Sequence, residues 1–251
     1  MRSDLFSPDR AETQSPGMTL QNSKMLKVGL NGEVLVRQGT MVAYQGQMEF
    51  AALGSGGIAG FLKQTFTGEG VPMMRVTGRG DLFLADNAAD VFTIDLETGD
   101  GLTINGRNVL AFEPTLRWDI HRVQGAGYLS NAGYYNCVFS GHGRIAITCK
   151  GSPVVLNVDQ PTYADPQAAV CWSASLQTGF HRADQLNLHT FLGRTTGEAF
   201  TMSFAGRGFV VVQPCEELPA GAVAGTGSGN AGGQNNDGLG GVIGGFLGGG
   251  R

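Results

Sequence analysis

One pattern recurs three times in this chain, and it limits the possible folds more than anything else in the sequence. Met74-Arg75-Val76-Thr77 runs into Gly78-Arg79-Gly80 and then Asp81-Leu82-Phe83-Leu84. Cys137-Val138-Phe139-Ser140 runs into Gly141-His142-Gly143 and then Arg144-Ile145-Ala146-Ile147. Met202-Ser203-Phe204-Ala205 runs into Gly206-Arg207-Gly208 and then Phe209-Val210-Val211-Val212. The first glycines are 63 and 65 residues apart. That period is too long for a propeller blade or a solenoid coil. It fits three similar β-units packed about a pseudo-threefold axis.

Gly-x-Gly cradles a phosphate when a helix follows and points its N-terminus at the anion. Here a strand-like run follows each time. The reading adopted is a tight hairpin turn, in which glycine avoids the Cβ clash of positive φ. Other runs carry the alternation of a half-buried strand: Glu33–Arg37, Asp81–Leu84, Val91–Asp95, Arg144–Thr148 and Pro153–Val158. Turn signals such as Asn31-Gly32, Gly99-Asp100-Gly101 and Asn105-Gly106 separate them. Helical periodicity is confined to a weak stretch from Gly56 to Thr67. The expected fold is therefore all-β with few or no helices. Residues 1–24 form a polar lead-in, residues 25–218 a β-domain of three repeated units, and residues 219–251 a glycine-rich tail.

Two segments carry a family resemblance. Gln21–Val28 leads into Val34-Leu35-Val36-Arg37-Gln38-Gly39-Thr40-Met41-Val42-Ala43-Tyr44-Gln45-Gly46, and Gly78–Ala85 follows. Pro161–Pro166 continues to Val170-Cys171-Trp172-Ser173. Together they resemble the mitochondrial biogenesis family, also called the altered-inheritance-of-mitochondria family, over roughly residues 20–215. The resemblance implies repeated units of a double-stranded β-helix, similar to the tryptophan-binding RNA attenuation protein. It implies no catalytic residues. The chain resembles a bacterial member, to which the role of mitochondrial members in inner-membrane organisation does not transfer.

No catalytic, cofactor-binding or metal-ligating set emerges from the residues. A cupin-type metal site wants a His-x-His pair on one strand, where side chains two apart share a face. His121, His142, His181 and His189 make no such pair, and a site from His181, Asp184 and His189 would need a loop to fold back. There is no Gly-x-Ser-x-Gly elbow. Cys171 beside Trp172 lies in an apolar run and reads as an inert buried thiol. Cys137 and Cys149 sit symmetrically about Gly143 and could face each other across a hairpin, but are read as small apolar strand residues. Glu216 and Glu217 read as a solvated exit from the domain, while Asp86, Asp90 and Asp95 flank turns and a strand.

Charge argues against general nucleic-acid binding. The net charge is −4 and charged residues make up 15% of the chain, whereas phosphate neutralisation needs clustered Lys and Arg. One local exception is a ring of equivalent turn positions holding Arg79, His142 and Arg207, which would suit an anionic partner. The N-terminus has no apolar core of a secretory signal and carries Asp4, Asp9 and Glu12, so the cytoplasm is the expected compartment.

The tail ends Leu239-Gly-Gly-Val242-Ile243-Gly-Gly-Phe246-Leu247. It is either a disordered extension or a segment that docks on another subunit or a membrane surface. The expected function is a non-enzymatic scaffold or assembly module that self-associates. A small-molecule or RNA-binding β-module is the alternative, and a metal-dependent cupin-like enzyme comes last.

Overall fold

Sixteen strands follow one another in the computed structural model, which describes residues 16–53, 71–122, 135–182 and 200–215. The expected helical stretch at Gly56–Thr67 and the tail lie outside these residues. Strand β1 spans Gly17–Asn22, so ordered structure begins inside the polar lead-in rather than after it. Met18 is buried against Leu26 and Val28, and this apolar contact holds β1 on the sheet.

The remaining strands fall into three segments. The first holds β2 (Met25–Arg37), β3 (Met41–Ala52) and β4 (Met73–Leu84). The second holds β5 (Asp90–Leu96), β6 (Gly101–Asn105), β7 (Val109–Phe112), β8 (Arg117–Arg122), β9 (Tyr135–Ser140) and β10 (Gly143–Cys149). The third holds β11 (Val154–Val158), β12 (Thr162–Ala164), β13 (Ala169–Ser173), β14 (Gln177–Arg182), β15 (Phe200–Ala205) and β16 (Gly208–Val212). A single 3-10 turn, Gly106–Asn108, is the one helical element among the described residues. All five strand runs expected from alternation lie in β2, β4, β5, β10 and β11, with Pro153 just outside β11.

Every pairing is antiparallel. In the second segment β10 lies between β5 and β7, and β9 between β6 and β8. In the third, β16 lies between β11 and β13, and β15 between β12 and β14. The first segment does the same with three long strands, placing β4 between β2 and β3. Even the irregularities match. The register slips between Met41 and Ala43, opposite Val109 to Ala111, and between Ala169 and Cys171.

These registers correct the hairpin reading of Gly-x-Gly. Strands β9 and β10 belong to different sheets, as do β15 and β16. Gly141-His142 and Gly206-Arg207 are therefore corners where the chain leaves one sheet for another. In the first segment there is no break at all, because β4 stays paired with both β2 and β3 through Gly78 and Gly80. Gly80 has φ +141°, and a Cβ there would collide with the backbone carbonyl of Gln45 on β3. Glycine at this point lets two strands cross at close range while the ladder continues.

Three sheets result: a seven-stranded one ordered β3-β4-β2-β7-β10-β5 with β1 on β2, a six-stranded one ordered β11-β16-β13-β6-β9-β8, and a three-stranded one ordered β12-β15-β14. The segments join by strand pairing. Strand β2 pairs with β7, and β6 pairs with β13. The largest apolar cluster among the described residues lies across these joins and includes Phe112, Phe139, Ile104, Ile145 and Cys171. Burying side chains of this size contributes about 1.5–3 kcal/mol each. A buried amide reinforces the second join, where Asn105 Nδ2 donates to the Pro166 carbonyl at 3.3 Å, while Asn108 Nδ2 donates to the Thr148 carbonyl at 2.7 Å within the second segment.

Candidate functional site

Cys137, Cys149 and Cys171 are free thiols. Burial pushes the thiols of Cys137, Cys149 and Cys171 up to about 12, so each stays protonated and poorly nucleophilic at neutral pH. Cys137 on β9 and Cys149 on β10 do not face each other across a hairpin, because those strands are in separate sheets.

The three aspartates are held by three different cations. Asp86 pairs with Arg37, Asp90 with Lys24 at 2.7 Å, and Asp95 with Arg144 at 2.6 Å. Two carboxylates working as acid and base need a shared site, and these form separate ion pairs. Arg144 is a clasp: Nε and Nη2 donate to the two oxygens of Asp95, and Nη1 donates to the Met18 carbonyl at 2.9 Å, tying β1 to β10. That bidentate bond holds the Asp95 carboxyl below its ordinary range.

The described histidines join no cluster of metal-ligating side chains. His121 is exposed on β8, its Nε2 3.4 Å from Asp119. His142 is exposed at a corner, and His181 lies on β14 opposite Thr201. Asp184, His189, Glu216 and Glu217 lie outside the described residues. Among the described residues no three His, Cys, Asp or Glu side chains group as a metal site.

The expected ring of basic turns also changes. His142 and Arg207 occupy corners, but Arg79 lies inside β4, where its Nε donates to Asn31 Oδ1 at 3.2 Å. The cause is again the uninterrupted ladder of the first segment. An open depression flanks Arg79, lined also by Asn31, Tyr44, Gln47, Glu49 and Thr77.

Strand β3 is the surface feature that stands out. Eleven of its twelve residues are exposed and only Met48 is half-buried. Its counterparts β7 and β13 are buried almost throughout. The correspondence follows from register. Tyr44, Phe112 and Trp172 stand opposite Leu82, Ile145 and Val210, each two residues after the second glycine of its Gly-x-Gly. Phe112 and Trp172 are 0% and 3% exposed, and Tyr44 is 47% exposed.

Ring geometry supports the same equivalence. Tyr44 meets Phe50 edge-on at 5.2 Å and 61°, and Phe112 meets Trp118 with the same two values. Residues six apart on a straight strand would be about 20 Å apart, so β3 bends sharply between Tyr44 and Phe50. The matching Tyr44-x5-Phe50 and Phe112-x5-Trp118 spacings are the trace of this equivalence in the sequence, though they do not tell which of the two is exposed.

The registers define an all-β protein of antiparallel sheets. Its family is a matter of direct comparison: residues 18–215 match the family model described as Mitochondrial biogenesis AIM24, and the chain belongs to that family. A search of curated proteins finds no match. Among solved structures the chain is similar to protein SPYM3_0169 from Streptococcus pyogenes, known from an X-ray crystal structure. The two share 19% identity at a TM-score of 0.62, over 79% of this chain and 92% of that one. At that identity the likeness carries the fold alone. Among the described residues no helix is long and apolar enough to cross a membrane.

Proposed function

We propose that this chain is a non-enzymatic assembly module, a cytoplasmic scaffold that associates with itself. One observation carries the reading. Among the described residues, Cys137, Cys149 and Cys171 are buried and Asp86, Asp90 and Asp95 are capped by cations, whereas exposed apolar side chains gather on outer strands: Met41, Val42, Tyr44 and Phe50 on β3, Val154 and Val155 on β11, and Tyr163 on β12. Outer strands of this kind expose unpaired backbone groups and are a ready route to association. The recurrence of one pairing pattern supports a tandem of three related β-units, in the manner of a double-stranded β-helix. The tail then serves as an accessory contact, to another subunit or to a membrane surface.

Sedimentation of the purified full chain over a range of concentrations tests this, alongside metal analysis of the same sample. Species larger than the monomer, free of stoichiometric metal, are expected. A protein that stays monomeric and carries one metal per chain would overturn the reading.

The depression beside Arg79 favours a second reading, a small-molecule or RNA-binding module. Tyr44 supplies a ring for stacking and Arg79 a positive charge. Ligand retained through purification, detected by mass spectrometry or by absorbance at nucleic-acid wavelengths, would move the assignment to it.

A further inference from the structure

Two joins inside this chain are built from the same kinds of strand edge. At the first, Leu35 of β2 stands opposite Phe112 of β7, and Val36 opposite Ala111. At the second, Thr103 of β6 stands opposite Trp172 of β13, and Ile104 opposite Cys171. The registers within the segments make these equivalent positions. Leu35, Thr103 and Tyr163 stand opposite Arg75, Val138 and Ser203, each three residues before the first glycine of its Gly-x-Gly. Each join thus sets the inner half of one segment against the bulged strand of the next.

Among the described residues one donor edge and one acceptor edge are left over. Strand β12 is the third segment's counterpart of β6, and it ends its sheet. Strand β3 is the first segment's counterpart of β7, and it ends its own. The two are in different sheets. At the completed joins Leu35, Phe112, Thr103 and Trp172 are 5%, 0%, 7% and 3% exposed, whereas Tyr163 and Tyr44 are 57% and 47% exposed. The same two positions are dry inside the chain and wet at its ends.

We propose that β12 of one copy pairs antiparallel with β3 of a second copy, repeating the internal joins between molecules. Carrying the internal register across sets Tyr163 opposite Tyr44, Ala164 opposite Ala43, and Thr162 opposite Gln45. The occupant is a second copy because every copy carries both halves of a junction that the chain itself already makes twice. The contact is head-to-tail, so it propagates until a ring closes or a filament grows. This inference rests on the assembly reading and names the surface responsible for it.

The test uses three variants of the full chain. Tyr44→Lys and Tyr163→Lys each place a charge in the junction without touching a buried residue, and each weakens self-association about tenfold or more in sedimentation. Mixing the two variants restores one intact junction per pair, so a dimer and nothing larger is expected. Ala43→Cys combined with Ala164→Cys, in a Cys215→Ser background, gives a disulfide between chains on oxidation. A disulfide within one chain would overturn the proposal, because the edges would then close on themselves. So would wild-type-like assembly of both lysine variants, which leaves the assembly reading standing on another surface. Assembly lost on truncation after Leu218 but unaffected by the lysine variants would assign it to the tail and overturn the proposal too. A wild-type chain that never self-associates would sink both readings together.

Discussion

Strands β3 and β7 hold the same place in two segments of nearly the same design, yet one is open to solvent and the other is sealed. Both carry an aromatic residue at the same register position, the same bulge, and the same edge-on ring contact. The difference is what lies alongside. Strand β2 covers the outer edge of β7, and no strand among the described residues covers that of β3. Burial here is a property of position in the array rather than of the strand. The lesson is general for sheets: a strand whose edge is paired is sealed, while one at the end of a sheet must be capped or partnered.

The sharpest way to break this comparison is to truncate the matched aromatics. Phe112→Ala removes a fully buried ring and should cost about 3–5 kcal/mol in a denaturant titration. Tyr44→Ala, measured on dilute protein, should stay within about 0.5 kcal/mol of wild type. Equal losses would mean that Tyr44 is buried in the working molecule.

The bends offer the next contrast. Gly80→Ala forces a Cβ onto the Gln45 carbonyl at a φ of +141° and should cost about 2–4 kcal/mol. Gly141→Ala has φ +105° as well, but its Cβ would meet nothing nearer than 3.8 Å, so about 1–2 kcal/mol is expected. Thermal unfolding of the two variants side by side reads the difference, and a reversed order would show that the corner, not the crossing, is the tighter place.

Asn108→Ala tests the sealed side alone. It strips the Thr148 carbonyl of a buried donor at 2.7 Å and should cost about 1–3 kcal/mol. A neutral result would mean that water replaces the amide.

The smallest effect belongs to the Arg144–Asp95 clasp. Because the folded state holds Asp95 below its ordinary value of 3.8, the contribution is present above that pH and is lost as pH falls through the folded value. The carboxylate is 63% exposed, so solvent screening keeps the gain to about 0–1 kcal/mol at neutral pH. Asp95→Asn should leave neutral stability nearly unchanged and flatten the acid limb of a stability–pH curve below about pH 4. An unchanged acid limb would remove the clasp from the account.

Much of this protein could be read from the chain alone, for a local reason. Alternation depends on neighbours within a few residues, so strands such as Val91–Asp95 and Arg144–Thr148 and the all-β class were legible, whereas Asn31-Gly32, which reads as a turn, lies inside β2. Buried thiols were legible at Cys171 because its flanks are apolar. The role of Gly-x-Gly was not, since hairpin, corner and uninterrupted crossing differ only in which distant strands pair on either side. Arg79 moved from a turn into a ladder for that reason. The site itself was hidden by the same cause: Tyr44 and Phe112 sit in similar apolar surroundings in sequence, and no local pattern tells a covered edge from a bare one. Whether a strand's backbone hydrogen bonds and side chains are satisfied is decided by partners tens of residues away, and only the assembled sheets supply them.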